Sequence, residues 1–346
     1  MAADVSLCRR TLLALGLGLA AGGVSAQGSK RATAARSAPA RPAARWPGAE
    51  VELTVPFPAG GATSLISRAL ASRFQAQTAQ PLRLNYMGGG GGTVGASYVA
   101  KAPADGMHLL MGGTSMLVSR ATQLQLDVDL YEAFVPLALV AEMPLVLLIN
   151  PRRLNARTWP ELLAELRRKP ARYRYASAGI GTISHLAGES FKRETGAMLE
   201  HVPYKGSGPA ILDVAQGNAD LMFDGLASVL PHLGADRVRA VMVVASRRNA
   251  VIPDVPTSSE LGLDGFYLAS WYGIFAPRAT PAPVQQRIIE VLRELGSDSA
   301  VQADWSSMGM RWPGLYGEEF SSFVEAQMQY WAEVVRNVLG TSATRP

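Results

Sequence analysis

From Val51 onward the apolar positions follow two alternating rhythms. Val51, Leu53 and Val55 repeat every second residue, which predicts a strand. Leu65, Ile66, Ala69, Leu70 and Phe74 then repeat at helical spacing, with Thr63 or Ser64 placed to cap the helix. The succession recurs along the chain. Residues 82–86 predict a strand, 93–101 a helix, and 109–112 a strand ending in Gly113-Thr114-Ser115. The run 145–149, closed by Asn150-Pro151, predicts a strand crossing into a second lobe. Thr158-Trp159-Pro160-Glu161 has the form of a capping box with proline in the first turn. Further units follow: strand 173–176 and helix 182–195, then strand 199–203 and a helix near 209–216. Gly196 and Gly217 stop the two helices, and 221–223 and 241–244 complete a sheet. The apolar run 271–275 predicts the return crossing. Two helices close the chain, one carrying Val284, Ile288, Val291, Leu292 and Leu295 on one face, the other Phe320, Phe323, Val324, Trp331, Val334 and Val338. Such alternation predicts an α/β fold of mainly parallel sheets covered by helices.

Ligands of such folds sit at the carboxyl ends of the strands. Three glycine-bearing turns lie there: Pro56-Phe57-Pro58-Ala59-Gly60-Gly61, the run from Gly88 to Gly92, and Ala176-Ser177-Ala178-Gly179-Ile180-Gly181-Thr182. Each opens a helix, so each aims free backbone N–H groups and a positive helix end at one point, which suits a small carboxylate. Thr63, Ser64, Thr114, Ser115, Ser177 and Thr182 cluster at the same strand ends and add hydroxyl donors. Phe57, inside the first turn, is expected to floor the pocket, and Trp271 and Tyr272 to pack where the lobes join. Lys205, in Tyr204-Lys205-Gly206-Ser207-Gly208-Pro209, either reaches the cleft or sits on a surface turn.

The first residues stand apart from this pattern. Arg9 and Arg10 precede the apolar stretch 11–20, and Val24-Ser25-Ala26 offers a cleavage site, which predicts an export signal over 1–26 and leaves the twin-arginine route open. Residues 27–46, rich in Ala, Arg and Pro and free of acidic residues, read as a disordered basic tether. The single cysteine, Cys8, lies in the leader, so the exported chain has no disulfide or thiolate metal site. Residues 1–46 also hold seven of the 33 basic residues and one of the 28 acidic ones, leaving 26 against 27 in the remainder. The folded part is close to neutral, and a nucleic-acid role loses its support.

Catalytic readings fare poorly. Gly90-Gly91-Gly92-Thr93-Val94-Gly95 matches the dinucleotide fingerprint, but Gly113-Thr114-Ser115 stands where that site wants an acid for the ribose. Gly-x-Ser-x-Gly does not occur. Ser177, Ser184 and His185 have no ordering carboxylate nearby in sequence. His108, His185, His201 and His232 show no metal-ligand spacing. His185 either braces its loop or borders the ligand. No cofactor and no metal is expected.

In its ordered motifs the chain resembles the Bug family, the periplasmic substrate-binding proteins of tripartite tricarboxylate transporters. The resemblance runs from about Val51 to about Val338. It is carried by residues 55–61, the glycine run with Val94-Gly95-Ala96, Ala102-Pro103-Ala104-Asp105-Gly106, residues 175–188, His201-Val202-Pro203-Tyr204-Lys205-Gly206, Asp220-Leu221-Met222-Phe223-Asp224 and Pro253-Asp254-Val255-Pro256-Thr257. It implies a two-lobed type II periplasmic binding fold that closes over a small carboxylate. The expected layout is lobe 1 over 47–147 and 268–346, with lobe 2 over 148–267. The resemblance places Phe57, Ala59, Gly60, Gly61, Thr63, Ser177, Gly179 and Thr182 at the ligand. The remaining expected site residues are Ser64, Thr114, Ser115, His185, Tyr204, Lys205 and Asp224. The implied protein is a monomeric periplasmic receptor that docks on integral membrane transporter subunits or a sensor kinase. An exported enzyme using His185 and Ser177 is the rival. Where the family commonly has Thr-Asp, this chain has Thr63-Ser64, so an amine-bearing ligand is expected to be less favoured.

Overall fold

A computed structural model describes residues 46–122, 132–233 and 237–339. The expected signal over 1–26 and the tether up to residue 45 lie outside the described residues. Trp46 belongs to the folded body: it is buried, packs edge-on against Phe74, and donates its indole N–H to Gly106 O at 2.9 Å.

The first lobe is built on β1 (Val51–Val55), β2 (Leu82–Tyr86) and β3 (His108–Gly113), which pair in parallel with β1 in the middle. Helix α1 (Ala62–Thr78) follows β1 and buries Ile66, Leu70 and Phe74, four residues apart, against the sheet. Its N-cap is Gly61 rather than Thr63 or Ser64; both hydroxyl residues lie within the first turn and no side chain caps it. A 3₁₀ turn at Gly90–Gly92 leads into α2 (Thr93–Ala100), and α3 (Thr114–Thr122) starts directly where β3 ends.

Strand β4 (Phe134–Ile149) is the element that joins the lobes. Up to Pro144 it pairs antiparallel with β9 (Ala269–Pro277), which in turn pairs antiparallel with β3. From Leu145 it pairs antiparallel with β7 (Leu221–Gly225) and β8 (Arg239–Val244) instead. The apolar pattern exposes only its second half. The first half contains Pro136 and Pro144 and slips register near Pro136 and Leu139, so it shows no regular alternation.

The second lobe adds β5 (Tyr173–Ser177) and β6 (Leu199–Pro203), parallel to each other, with β7 parallel to β5. Around it lie α4 (Trp159–Arg168), α5 (Ile183–Thr195), α6 (Ser207–Gln216) and the one-turn α7 (Leu226–Val229). Thr158 caps α4 by accepting from Glu161 N–H. The Glu161 carboxylate accepts from Arg157 N–H, one residue outside the expected reciprocal bond. Three helices close the chain rather than two: α8 (Ala282–Ser297), α9 (Ser299–Ser307) and α10 (Glu318–Leu339). Helix α10 buries Phe320, Val324, Trp331 and Val335 and touches α3 of the first lobe and α5 of the second. Each lobe is thus a mainly parallel sheet with one antiparallel member, covered by helices.

Candidate functional site

The carboxyl ends of β1, β3, β5 and β7 face one another across the junction, and each strand delivers a helix start there. From the first lobe come Gly61, Ala62 and Thr63 at the start of α1, and Thr114, Ser115 and Met116 at the start of α3. From the second come Ile183 and Ser184 of α5, Ser207 of α6, and Asp224 at the end of β7. With Phe57, Ala178, Ser270, Trp271 and Tyr272 they line a narrow cavity of about 30 Å³.

The lobes are closed on each other around it. Ser119 Oγ of α3 lies 2.9 Å from Gly181 O and 3.2 Å from Gly91 O, tying the first lobe to the α5 loop. Ile183 N–H reaches Ser115 Oγ at 3.4 Å. Gly60 and Gly206 both take positive φ, +98° and +132°, conformations open to glycine without strain. They bring the 58–61 turn so close to α6 that a Cβ on Gly208 would stand 2.9 Å from Ala59 O.

The walls present helix starts. No side chain caps the first turns of α1 or α6, so their N–H groups are free to meet a ligand. Among the described residues, no Lys, Arg or His lines this cavity. Its one charged residue is Asp224, 5 % exposed, which accepts from Ser207 Oγ at 2.9 Å and Ser228 Oγ at 2.6 Å. Burial pushes its carboxyl up to about 6.

Of the sequence-expected residues, Phe57, Gly61, Thr63, Thr114, Ser115 and Asp224 line the cavity. Ala59 and Gly60 stand beside it, in the contact with α6. Gly179, Tyr204 and Lys205 line a neighbouring cavity of about 300 Å³ with Gly89, Gly90 and Gly91; it shares Phe57 and Ala178 with the first. The glycine run therefore serves this outer space and the contact between lobes.

Ser177, Thr182 and His185 stand behind the wall. Thr182 caps α5, its Oγ1 accepting from His185 N–H. His185 Nδ1 accepts from Gly181 N–H at 3.4 Å, which is the loop-bracing role. Its ring stacks on His201 at 4.3 Å, and His201 stacks on Tyr175 at 4.7 Å. Ser177 Oγ lies 2.7 Å from His201 Nε2, but Ser177 is wholly buried and lines neither cavity, so the pair works as internal bracing. Burial, with His185 beside it, lowers the His201 pKa to about 4. Ser64 is also buried and lies 3.0 Å from Tyr86 OH, outside the lining. Ser64 itself therefore adds nothing to the cavity wall, where the charged residue is Asp224.

Sequence reasoning passed over Ser184, Ser207, Ser270, Trp271 and Tyr272 as wall residues. Ser207 stood in a quoted motif next to a glycine, which was the available signal. Tyr272 reaches the wall through the pairing of β9 with β3, and Ser270 through the pairing of β9 with β4, both non-local events.

The family described as tripartite tricarboxylate transporter family receptor matches residues 66–338. The chain belongs to that family. As a receptor of this family it groups with solute-binding proteins, not with enzymes. It is 31% identical over 329 residues to Protein BugT of Bordetella pertussis, covering 94% of this chain and 97% of that one. Among solved structures it resembles an R. palustris protein with adipate (TM-score 0.82, 29% identity, covering 85% of this chain and 98% of that one). It also resembles MatC from Rhodopseudomonas palustris with bound malate (TM-score 0.78, 30% identity, covering 84% and 100%). These likenesses carry the two-lobed type II periplasmic binding fold. No helix among the described residues is long and apolar enough to cross a membrane.

Proposed function

We propose that this receptor captures a small organic carboxylate in the periplasm and hands it to the membrane subunits of a tripartite tricarboxylate-type transporter. The observation that carries the reading is the closed cavity between the lobes, walled by hydroxyls and uncapped helix starts from both sides. Such donors hold a carboxylate without a fixed cation, which keeps binding reversible. The adipate and malate of the two similar structures are small acids of the same kind. Binding energy here draws the lobes together, and nothing in the wall asks for a transition state. Within the wall we assign Phe57, Gly61, Thr63, Thr114 and Ser115 to the ligand from the first lobe, and Ala178, Ser184, Ser207 and Asp224 from the second.

Thermal unfolding of the protein against mono-, di- and tricarboxylates tests the binding step. A ligand of the folded form stabilises by about 2.7 kcal/mol at a hundredfold excess over its dissociation constant. A selective rise with one acid supports the reading, and no rise across the series defeats it. Uptake of that acid into vesicles holding the membrane subunits, with and without the receptor, tests the delivery step.

A further inference from the structure

We propose that Asp224 sets the class of acid this pocket takes: it accepts a hydrogen bond from a hydroxyl or ammonium group on the ligand, so the receptor prefers hydroxy- or amino-substituted carboxylic acids to the unsubstituted parent. The inference rests on the carboxylate-receptor reading and narrows it.

The geometry carries it. Asp224 sits at the end of β7 in the cavity wall, almost wholly buried. Ser207 donates to one carboxylate oxygen, Ser228 to the other, and the Gly225 backbone N–H adds a third bond. A carboxylate has about four acceptor sites, so room remains for a further donor from a ligand. Among the described residues, none lining the cavity supplies a counter-charge. From α6 it meets Ser207, from α7 Ser228, and from the paired strand β4 Val146. The titratable group facing it from β9 is the Tyr272 phenol, kept neutral by burial. The lysine nearest in sequence to the wall, Lys205, lines the outer cavity.

A second carboxylate laid against Asp224 would meet a like charge in a buried site. A methylene there would leave the acceptor capacity unanswered. A hydroxyl answers it, and an ammonium adds the missing charge. The ligand's own carboxylate is left to the amides and hydroxyls of the other helix starts. The buried, unpaired acid also has the raised pKa already noted, so ligand selection depends on pH. Above about 6 Asp224 is ionised and favours the ammonium; below it the carboxyl is neutral and that advantage shrinks.

The test is titration calorimetry of the full chain with matched series: succinate, malate and aspartate; glutarate, 2-hydroxyglutarate and glutamate; propionate, lactate and alanine. At pH 7.5 a substituted acid in at least one series should bind tenfold or more tighter than its parent. In Asp224→Asn, which keeps an oxygen for the serines, the parent acid should bind as well or better, and any ammonium preference should fall at least tenfold. Should that variant fold poorly, the wild-type preference measured at pH 7.5 and 5 decides: an ammonium advantage unchanged between them overturns the proposal. Parents that equal their derivatives in every series also overturn it. So does Asp224→Asn weakening all three members of a series by one common factor, which marks a purely structural role. Binding of no acid in any series removes the carboxylate reading itself and this inference with it.

Discussion

Gly208 offers the sharpest test that the described contact between lobes is the ligand-bound one. It lies within α6, where alanine is favoured over glycine by up to about 1 kcal/mol. A lone second lobe should therefore accept Gly208→Ala at no cost. The closed molecule should not. The added methyl would stand 2.9 Å from Ala59 O and 3.5 Å from Gly60 Cα, and these are backbone atoms that cannot swing aside. Relief comes only from parting the lobes. Overpacking of this kind costs about 1–3 kcal/mol, which weakens binding by about 5- to 150-fold if closure and binding are one event. The assay is titration calorimetry with the acid found in the carboxylate series, alongside X-ray scattering with and without it. The expected result is a weaker Kd, a smaller ligand-induced contraction, and an unfolding midpoint without ligand that is unchanged or slightly raised. A Kd within about twofold of wild type, with the full contraction, refutes the reasoning. A fall in the ligand-free midpoint also refutes it, because the lobes would then be pressed together without ligand.

Two further outcomes follow from the second lobe. A methyl on Gly188 of α5 would lie 2.2 Å from the Tyr175 ring, which His201 stacks against at 4.7 Å. Overpacking there should outweigh the helix preference for alanine, so Gly188→Ala should lose about 1–2 kcal/mol of stability in chemical denaturation; an unchanged midpoint would contradict the packing. His201 titrates near 6.5 when unfolded and near 4 when folded. Between those values the unfolded chain binds more protons, so this group's contribution is fully present above pH 6.5 and lost as pH falls through 4. His201→Gln should flatten the drop in unfolding midpoint between pH 7 and 4.5. Parallel curves for the two proteins, or an NMR titration of His201 near 6.5, would rule this out.

The local elements and the turns at the strand ends were legible in the sequence. Period-two and helical spacings are written by each segment's own burial pattern, so β1, α1, β5 and α5 were legible, and the glycine turns at their ends marked the cleft. Gly61, Thr63, Thr114 and Ser115 were found because a strand end beside a helix start is a local signal. Only the tertiary structure decided which of these residues meet the cavity. Ser177, Thr182 and His185 sit one layer behind the wall, and no local spacing distinguishes a wall from the layer bracing it. The first half of β4 was hidden because two prolines and two register slips break its pattern. Tyr272 joined the wall through the pairing of β9 with β3, more than a hundred and fifty residues away in sequence, and Ser270 through the pairing of β9 with β4. The charge of the pocket was likewise a matter of distance: Ser64 turned to Tyr86, Lys205 lined the outer space, and Asp224 alone was left inside. Contacts between residues far apart in the chain depend on how strands pair and lobes close, and no short stretch of sequence carries that information.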